Sequence, residues 1–154
     1  FPATELYRLL GIEPSLQDAE IERILGYGYQ GRYTNLVLSL LYPDRDWKDA
    51  VFHEDHIFPQ AEFQVRKLKR RGYDDTKVQS YIAQYNLLAN LQLLTESENL
   101  SKNATPFEDW VKTRDTAFLK RHLIPEMASY DLDAFGEFCE TRANSIAKAL
   151  KGLS

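Results

Sequence analysis

The sequence has 154 residues, the size of one ordinary domain, and 44% of them are hydrophobic, enough to bury a single core. A charged fraction of 27% with 12% aromatics excludes intrinsic disorder, and no apolar run reaches the ~18–20 residues that cross a bilayer. The net charge of −4 excludes a general polyanion binder, and the lone cysteine, Cys139, excludes an internal disulfide and fits a cytoplasmic setting.

The chain opens with Phe1-Pro2-Ala3-Thr4, without an initiator Met or a signal peptide, and reads as a cut inside a longer protein. Leu6, Leu9 and Leu10 stand at helical spacing, and Ser15 is positioned to cap a second helix carrying Leu16, Ala19, Ile21, Ile24 and Leu25. The glycines between Gly26 and Gly31 interrupt that pattern, and Tyr33, Leu36, Val37, Leu40 and Leu41 then predict a buried helix ending at Tyr42-Pro43. Tyr27, Tyr29 and Tyr33, interleaved with leucines, are expected in the core rather than stacked on bases.

A polar turn over 44–48 leads into a short strand between Ala50 and Pro59, since Val51, Phe52, Ile57 and Phe58 favour extended backbone and Pro59 stops it. Residues 61–71 predict a charged helix ended by Gly72, followed by a helix through Val78, Tyr81, Ile82 and Tyr85 capped by Asp74 or Asp75. Asn90-Leu91-Gln92-Leu93-Leu94 predicts a second short strand leading to a small helix with Asn99, Lys102 and Asn103. Pro106 suits the start of a helix through Trp110, Val111 and Phe118, and Asp131 or Asp133 caps a last amphipathic helix with Phe135, Phe138, Ile146, Ala149 and Leu150. The fold expected is α+β and mostly α: one domain with a short β-hairpin surrounded by helices, comprising a helical part over 1–42, a core over 50–107 with a helical insertion at 61–88, and C-terminal helices over 108–154.

One segment concentrates chemistry. His53-Glu54-Asp55-His56 sets two imidazoles and two carboxylates at the end of the first expected strand. Hydrolysing a phosphodiester at neutral pH needs a base for water and a cation to neutralise the scissile phosphate. A histidine suits the first task, and a carboxylate with an amide oxygen can hold a hard cation such as Mg²⁺ or Mn²⁺. Asp55, His56 and Asn99 supply that set, but neighbours on a strand point to opposite faces, so a strand end or a bulge must bring Asp55 and His56 to one site.

Asp55-His56-Ile57-Phe58-Pro59-Gln60, then Asn90, then Asn99 with Lys102, resembles the active site of HNH (His-Me finger) nucleases, whose core is a ββα-metal unit. The resemblance implies that Asp55 and Asn99 bind the metal, that His56 is the general base, that Asn90 braces the loop and that Lys102 stands near the phosphate. Tyr42-Pro43, Leu88-Ala89-Asn90-Leu91-Gln92-Leu93-Leu94 and Asn99-Leu100-Ser101-Lys102-Asn103-Ala104-Thr105-Pro106-Phe107 extend it to the C-terminal nuclease region of GmrSD-type restriction enzymes, over most of residues 33–150. That likeness implies DNA cleavage in bacterial anti-phage defence, and a separate N-terminal nucleotide-hydrolysing domain that senses the DNA, in some relatives its phosphorothioation. The chain departs from compact HNH domains in the long gap between His56 and Asn90 and in ending the motif with Asn, so Asn99 and Asn103 compete as ligands, with spacing favouring Asn99.

Plainer readings stand beside these. His53 and Glu54 fit hydrogen-bonding support better than direct participation, and His122, after Lys120-Arg121, is expected to meet a helix C-terminus without chemistry. Arg66, Lys67, Lys69, Arg70 and Arg71 form a basic run that is either a solvated face or, through Lys67, Arg70 or Arg71, a set of DNA phosphate contacts. Two other functions fit the same residues: a DNA-binding or effector-coupling module with a decayed site, and a nuclease directed at RNA.

Overall fold

The computed structural model describes residues 16–45 and 51–153. Its first helix, α1 (Asp18–Leu25), begins where the Glu20 carboxylate accepts a hydrogen bond from the Gln17 N–H at 3.0 Å. Ser15, the expected cap, lies outside the described residues, as do the helix expected over 6–10 and part of the turn expected over 44–48.

Helix α2 (Thr34–Leu40) buries Thr34, Val37 and Leu38, with Tyr42 just beyond its end. Tyr33, Leu36 and Leu40, expected in the core, instead face outward, 47%, 61% and 47% exposed. A short helix with apolar residues on every side carries no phase of its own, and packing against the sheet selects one face.

Strand β1 (Phe52–His56) pairs antiparallel with β2 (Leu91–Thr95), in register from Phe52 opposite Thr95 to His56 opposite Leu91. The pair is not a tight hairpin, because residues 57–90 intervene. The charged helix expected over 61–71 is divided into a 3₁₀ turn, Gln60–Glu62, and helix α3 (Val65–Arg70). Gly72, at φ 88°, stops α3 in a conformation that a side chain disfavours. Helix α4 (Asp75–Gln84) starts at Asp74, whose Oδ1 accepts from the Lys77 N–H at 2.8 Å.

Strand β2 is buried over Leu91, Gln92, Leu93 and Leu94 and runs straight into helix α5 (Glu96–Lys102). Thr95 makes the change of direction: its hydroxyl accepts from the Glu98 N–H, and the Glu98 carboxylate accepts from the Thr95 N–H at 2.9 Å. Helix α5 packs on both strands, giving a ββα unit.

The helix expected from Pro106 through Phe118 is interrupted. Helix α6 (Phe107–Trp110) passes through a 3₁₀ turn, Val111–Thr113, to an extended Arg114, and Asp115 then caps helix α7 (Thr116–Arg121) through the Phe118 N–H. Asp131 caps a short turn, Leu132–Ala134, that leads into helix α8 (Phe135–Lys151).

Helix α8 holds the two sides of the ββα unit together. Its first half, with Phe135 and Phe138, joins a cluster containing Ile57, Phe58, Phe63 and Tyr81. Its second half, with Ile146 and Leu150, joins one containing Val37, Tyr42, Leu91 and Leu93. Between them the fully buried Arg142 donates to the carbonyls of His122 (3.1 Å), Leu88 (3.2 Å) and Ala89 (2.8 Å), which ties α8 to the turn leading into β2. Burial pulls the Arg142 pKa down to about 10. Among the described residues no helix is long and apolar enough to cross a membrane.

Candidate active site

The site is built where β1 ends and the chain enters its aromatic core. Phe58 sits with its ring 4.9 Å from Phe107, 5.2 Å from Phe135 and 5.0 Å from Phe138, so the backbone two residues past His56 is anchored. Asn90 completes the anchor. Its Oδ1 accepts from the Phe58 N–H at 2.9 Å, and its Nδ2 donates to the carbonyls of Phe58 (3.1 Å) and Tyr85 (2.8 Å). The Ile57 N–H donates to the Asn90 carbonyl at 2.8 Å. Asn90 is fully buried and therefore braces the loop without touching solvent.

An open cavity of about 530 Å³ lies at this strand end, lined by Asp55, His56, Asn99 and Asn103 with Ala61 and Ala104. The unbroken register rules out a bulge: His56 is the last residue of β1, and the end of the strand lets both neighbours reach one cavity. Asn99 comes from α5, and Asn103 follows that helix at φ 48° and ψ −135°, a backbone outside the left-handed helical region that side chains rarely adopt.

His56 is held by residues from other segments. Its Nε2 lies 2.7 Å from Asn86 Oδ1, so the amide oxygen accepts the imidazole proton and leaves Nδ1 as the basic nitrogen. The ring packs against Tyr29, tilted at 4.4 Å, and against Tyr85, stacked at 6.0 Å. Asn86 also fixes Tyr29, since its backbone carbonyl accepts from the Tyr29 N–H at 2.8 Å. Burial pushes the His56 pKa below its ordinary value and so favours the neutral ring, while the Asn86 hydrogen bond and the Asp55 charge oppose that shift. Tyr29, expected in the core, packs half-buried against the apolar cluster of Tyr42 and Leu91 and also walls the histidine.

Asp55 is gripped from two sides through one oxygen. Gln92, opposite it on β2, donates from Nε2 to Asp55 Oδ2 at 2.9 Å, and the Lys102 ammonium is 3.0 Å from the same atom. Lys102 is 0% exposed and also donates to the His56 carbonyl at 2.6 Å. It lies beneath the site, binding the residues that line the cavity rather than lining it. Burial lowers its pKa, and the pairing with Asp55 opposes that shift.

These donors suit a hard divalent cation. Asp55 Oδ1 takes no hydrogen bond from a described residue, and the side-chain amides of Asn99 and Asn103 take none either. One anionic oxygen and amide oxygens around an open cavity match an ion that keeps much of its water, as Mg²⁺ does. Among the described residues no group of three or more His, Cys, Asp or Glu could hold a metal, so the donor set rests on one carboxylate and the amides.

The other expected residues lie apart from this cavity. His53, opposite Leu94, is half-buried, and Glu54 accepts from the Gln30 N–H at 2.8 Å, holding the loop that carries Tyr29. Lys67, Arg70 and Arg71 line a neighbouring cavity with Glu62. His122 stands at the C-terminal end of α7 as expected, but it is buried and neutral there, with its Nδ1 2.9 Å from the Tyr42 hydroxyl and its pKa pushed down to about 3 by burial and by Arg142. Sequence reasoning missed Asn86 and Gln92. Only the register opposite Asp55 could have exposed Gln92, and no local signal marks Asn86.

No protein family and no curated protein matches this chain.

Proposed function

We propose that this chain is a metal-dependent DNA endonuclease domain of the HNH type, with His56 as general base, Asp55 and Asn99 as metal ligands and Asn90 as the brace of the loop. The observation that carries this reading is the meeting of Asp55, His56 and Asn99 at one open cavity on a ββα unit. A Mg²⁺ or Mn²⁺ ion held by Asp55 and Asn99 would supply charge neutralisation at the scissile phosphate and the departing 3′ oxygen. His56, neutral and holding its proton on Nε2 against Asn86, takes a proton from water on Nδ1 as the water attacks phosphorus. Lys102 keeps Asp55 and the His56 backbone in place during that step. Following the resemblance, the biological role is restriction of foreign DNA in the bacterial cytoplasm, with sequence or modification sensed by a nucleotide-hydrolysing partner domain.

Supercoiled plasmid tests this directly. The protein nicks or cuts it in Mg²⁺ or Mn²⁺ and stops with EDTA, and His56→Ala lowers the rate by ~10²–10⁴, the usual worth of a general base. Equal rates for His56→Ala and the unaltered protein would remove His56 as the base. Matched DNA and RNA strands decide which sugar is accepted.

A second reading, a DNA-binding or effector-coupling module, is favoured by the buried Lys102 that already neutralises Asp55. Such a module shifts DNA in gels with or without metal and never cuts it.

A further inference from the structure

A second cavity of about 490 Å³ opens beside the candidate active site and shares Ala61 and Ala104 with it as common walls. Its volume falls in the range of small-molecule sites. Lys67, Arg70 and Arg71 line it together with Glu62, so one cavity offers both cationic donors and a carboxylate acceptor.

These groups are unequally engaged. Arg71 is paired with Asp131 at 3.2 Å, and Lys67 donates to the Ala61 carbonyl at 2.8 Å with two donors to spare. Arg70 makes no hydrogen bond or ion pair with a described residue. The half-buried Glu62 carboxylate likewise takes no hydrogen bond from a described residue, and burial raises its pKa against the pull of Arg71. A carboxylate in that position gains most from a ligand that brings its own N–H donors.

A cavity whose Arg70 guanidinium and Glu62 carboxylate make no hydrogen bond with a described residue is complementary to a ligand with an anionic group at one end and amino hydrogens at the other. A nucleotide has both. We infer that this second cavity holds the nucleotide next to the scissile phosphodiester, with Arg70 and Lys67 on its phosphate and Glu62 accepting from an exocyclic amino group of its base. The inference rests on the nuclease reading above and adds a base preference to it. Adenine, cytosine and guanine carry such an amino group, and thymine does not.

The test is cleavage of a DNA pool randomised in sequence, in Mg²⁺, by the full chain and by Glu62→Gln, with the cut ends sequenced. The unaltered protein should disfavour thymine at one position beside the cut by about fivefold, the lower end of the discrimination given by a base-edge hydrogen bond. Glu62→Gln should level that bias. In parallel, Arg70→Ala should weaken binding of a short oligonucleotide and reduce the slope of log affinity against log salt by about one. Cutting with no bias at either neighbouring position, or a bias that Glu62→Gln leaves intact, overturns the subsite while the nuclease reading survives. An unchanged salt slope for Arg70→Ala overturns the phosphate contact. No cutting in any metal overturns the nuclease reading, and the subsite falls with it.

Discussion

The side-chain oxygen of Asn86 lies 2.7 Å from Nε2 of His56, joining the end of α4 to the end of β1. An amide oxygen can only accept, so this contact selects the tautomer in which Nδ1 is basic and fixes the plane of the ring. Hydrogen-bond partners behind a reacting group are typically worth about 10–100-fold in activity. Asn86→Leu should lower kcat by that factor with KM nearly unchanged, whereas Asn86→Asp, which keeps an acceptor oxygen, should retain most of the rate. Steady-state nicking assays separate the two constants, and equal losses in both variants would deny the contact this role.

Lys102 and Asp55 form a buried ion pair, 0% and 11% exposed at their side chains. Removing one partner of such a pair leaves an uncompensated charge, at a cost of about 3–5 kcal/mol. Lys102→Ala should therefore unfold at markedly lower urea than the unaltered protein. Lys102→Met combined with Asp55→Asn removes both charges and should recover part of the loss. Urea unfolding followed by far-UV circular dichroism measures both, and a Lys102→Ala midpoint matching that of the unaltered protein would contradict the pairing.

Asn90 satisfies three main-chain groups at once: the buried Phe58 N–H and Phe58 carbonyl and the half-buried Tyr85 carbonyl. Each buried polar group left without a partner costs about 1–3 kcal/mol. Asn90→Ala should lose roughly 3 kcal/mol or more, and activity should fall because the loop after His56 loosens. Thermal denaturation reads the first effect; a melting temperature within a degree of the unaltered protein would sink it.

His122 gives stability a pH dependence of known sign. Its folded pKa is depressed to about 3 from the ordinary imidazole value of 6.5, so the unfolded chain binds the extra proton first. The stabilising contribution is complete above about pH 6.5 and declines as pH falls toward 3, by up to ~1.4 kcal/mol per pH unit. Unfolding free energies at a series of pH values should show this slope in the unaltered protein and its loss in His122→Gln, whatever that variant does to stability at pH 7.

Local rules carried much of the fold. Asp74 capping α4, Gly72 ending α3, and an apolar stretch before Glu96 turning from strand to helix are decided by neighbouring atoms, and each stands close to where the residues indicate. The order of strand, distant strand and helix, with Asp55-His56 on the first and Asn99 on the last, was legible for the same reason. The exposed face of α2 and the break between α6 and α7 were not. Both depend on what those segments meet rather than on their own residues.

The order of residues along the chain settles which side-chain types are at hand near the cavity and roughly which elements carry them. Their electrostatic state came from packing: Lys102 lies under Asp55, Asn86 holds His56, and His122, at the end of α7, is a buried neutral residue and not a cation. Burial and partnership set the charge and orientation of an ionisable group, and both come from segments distant along the chain.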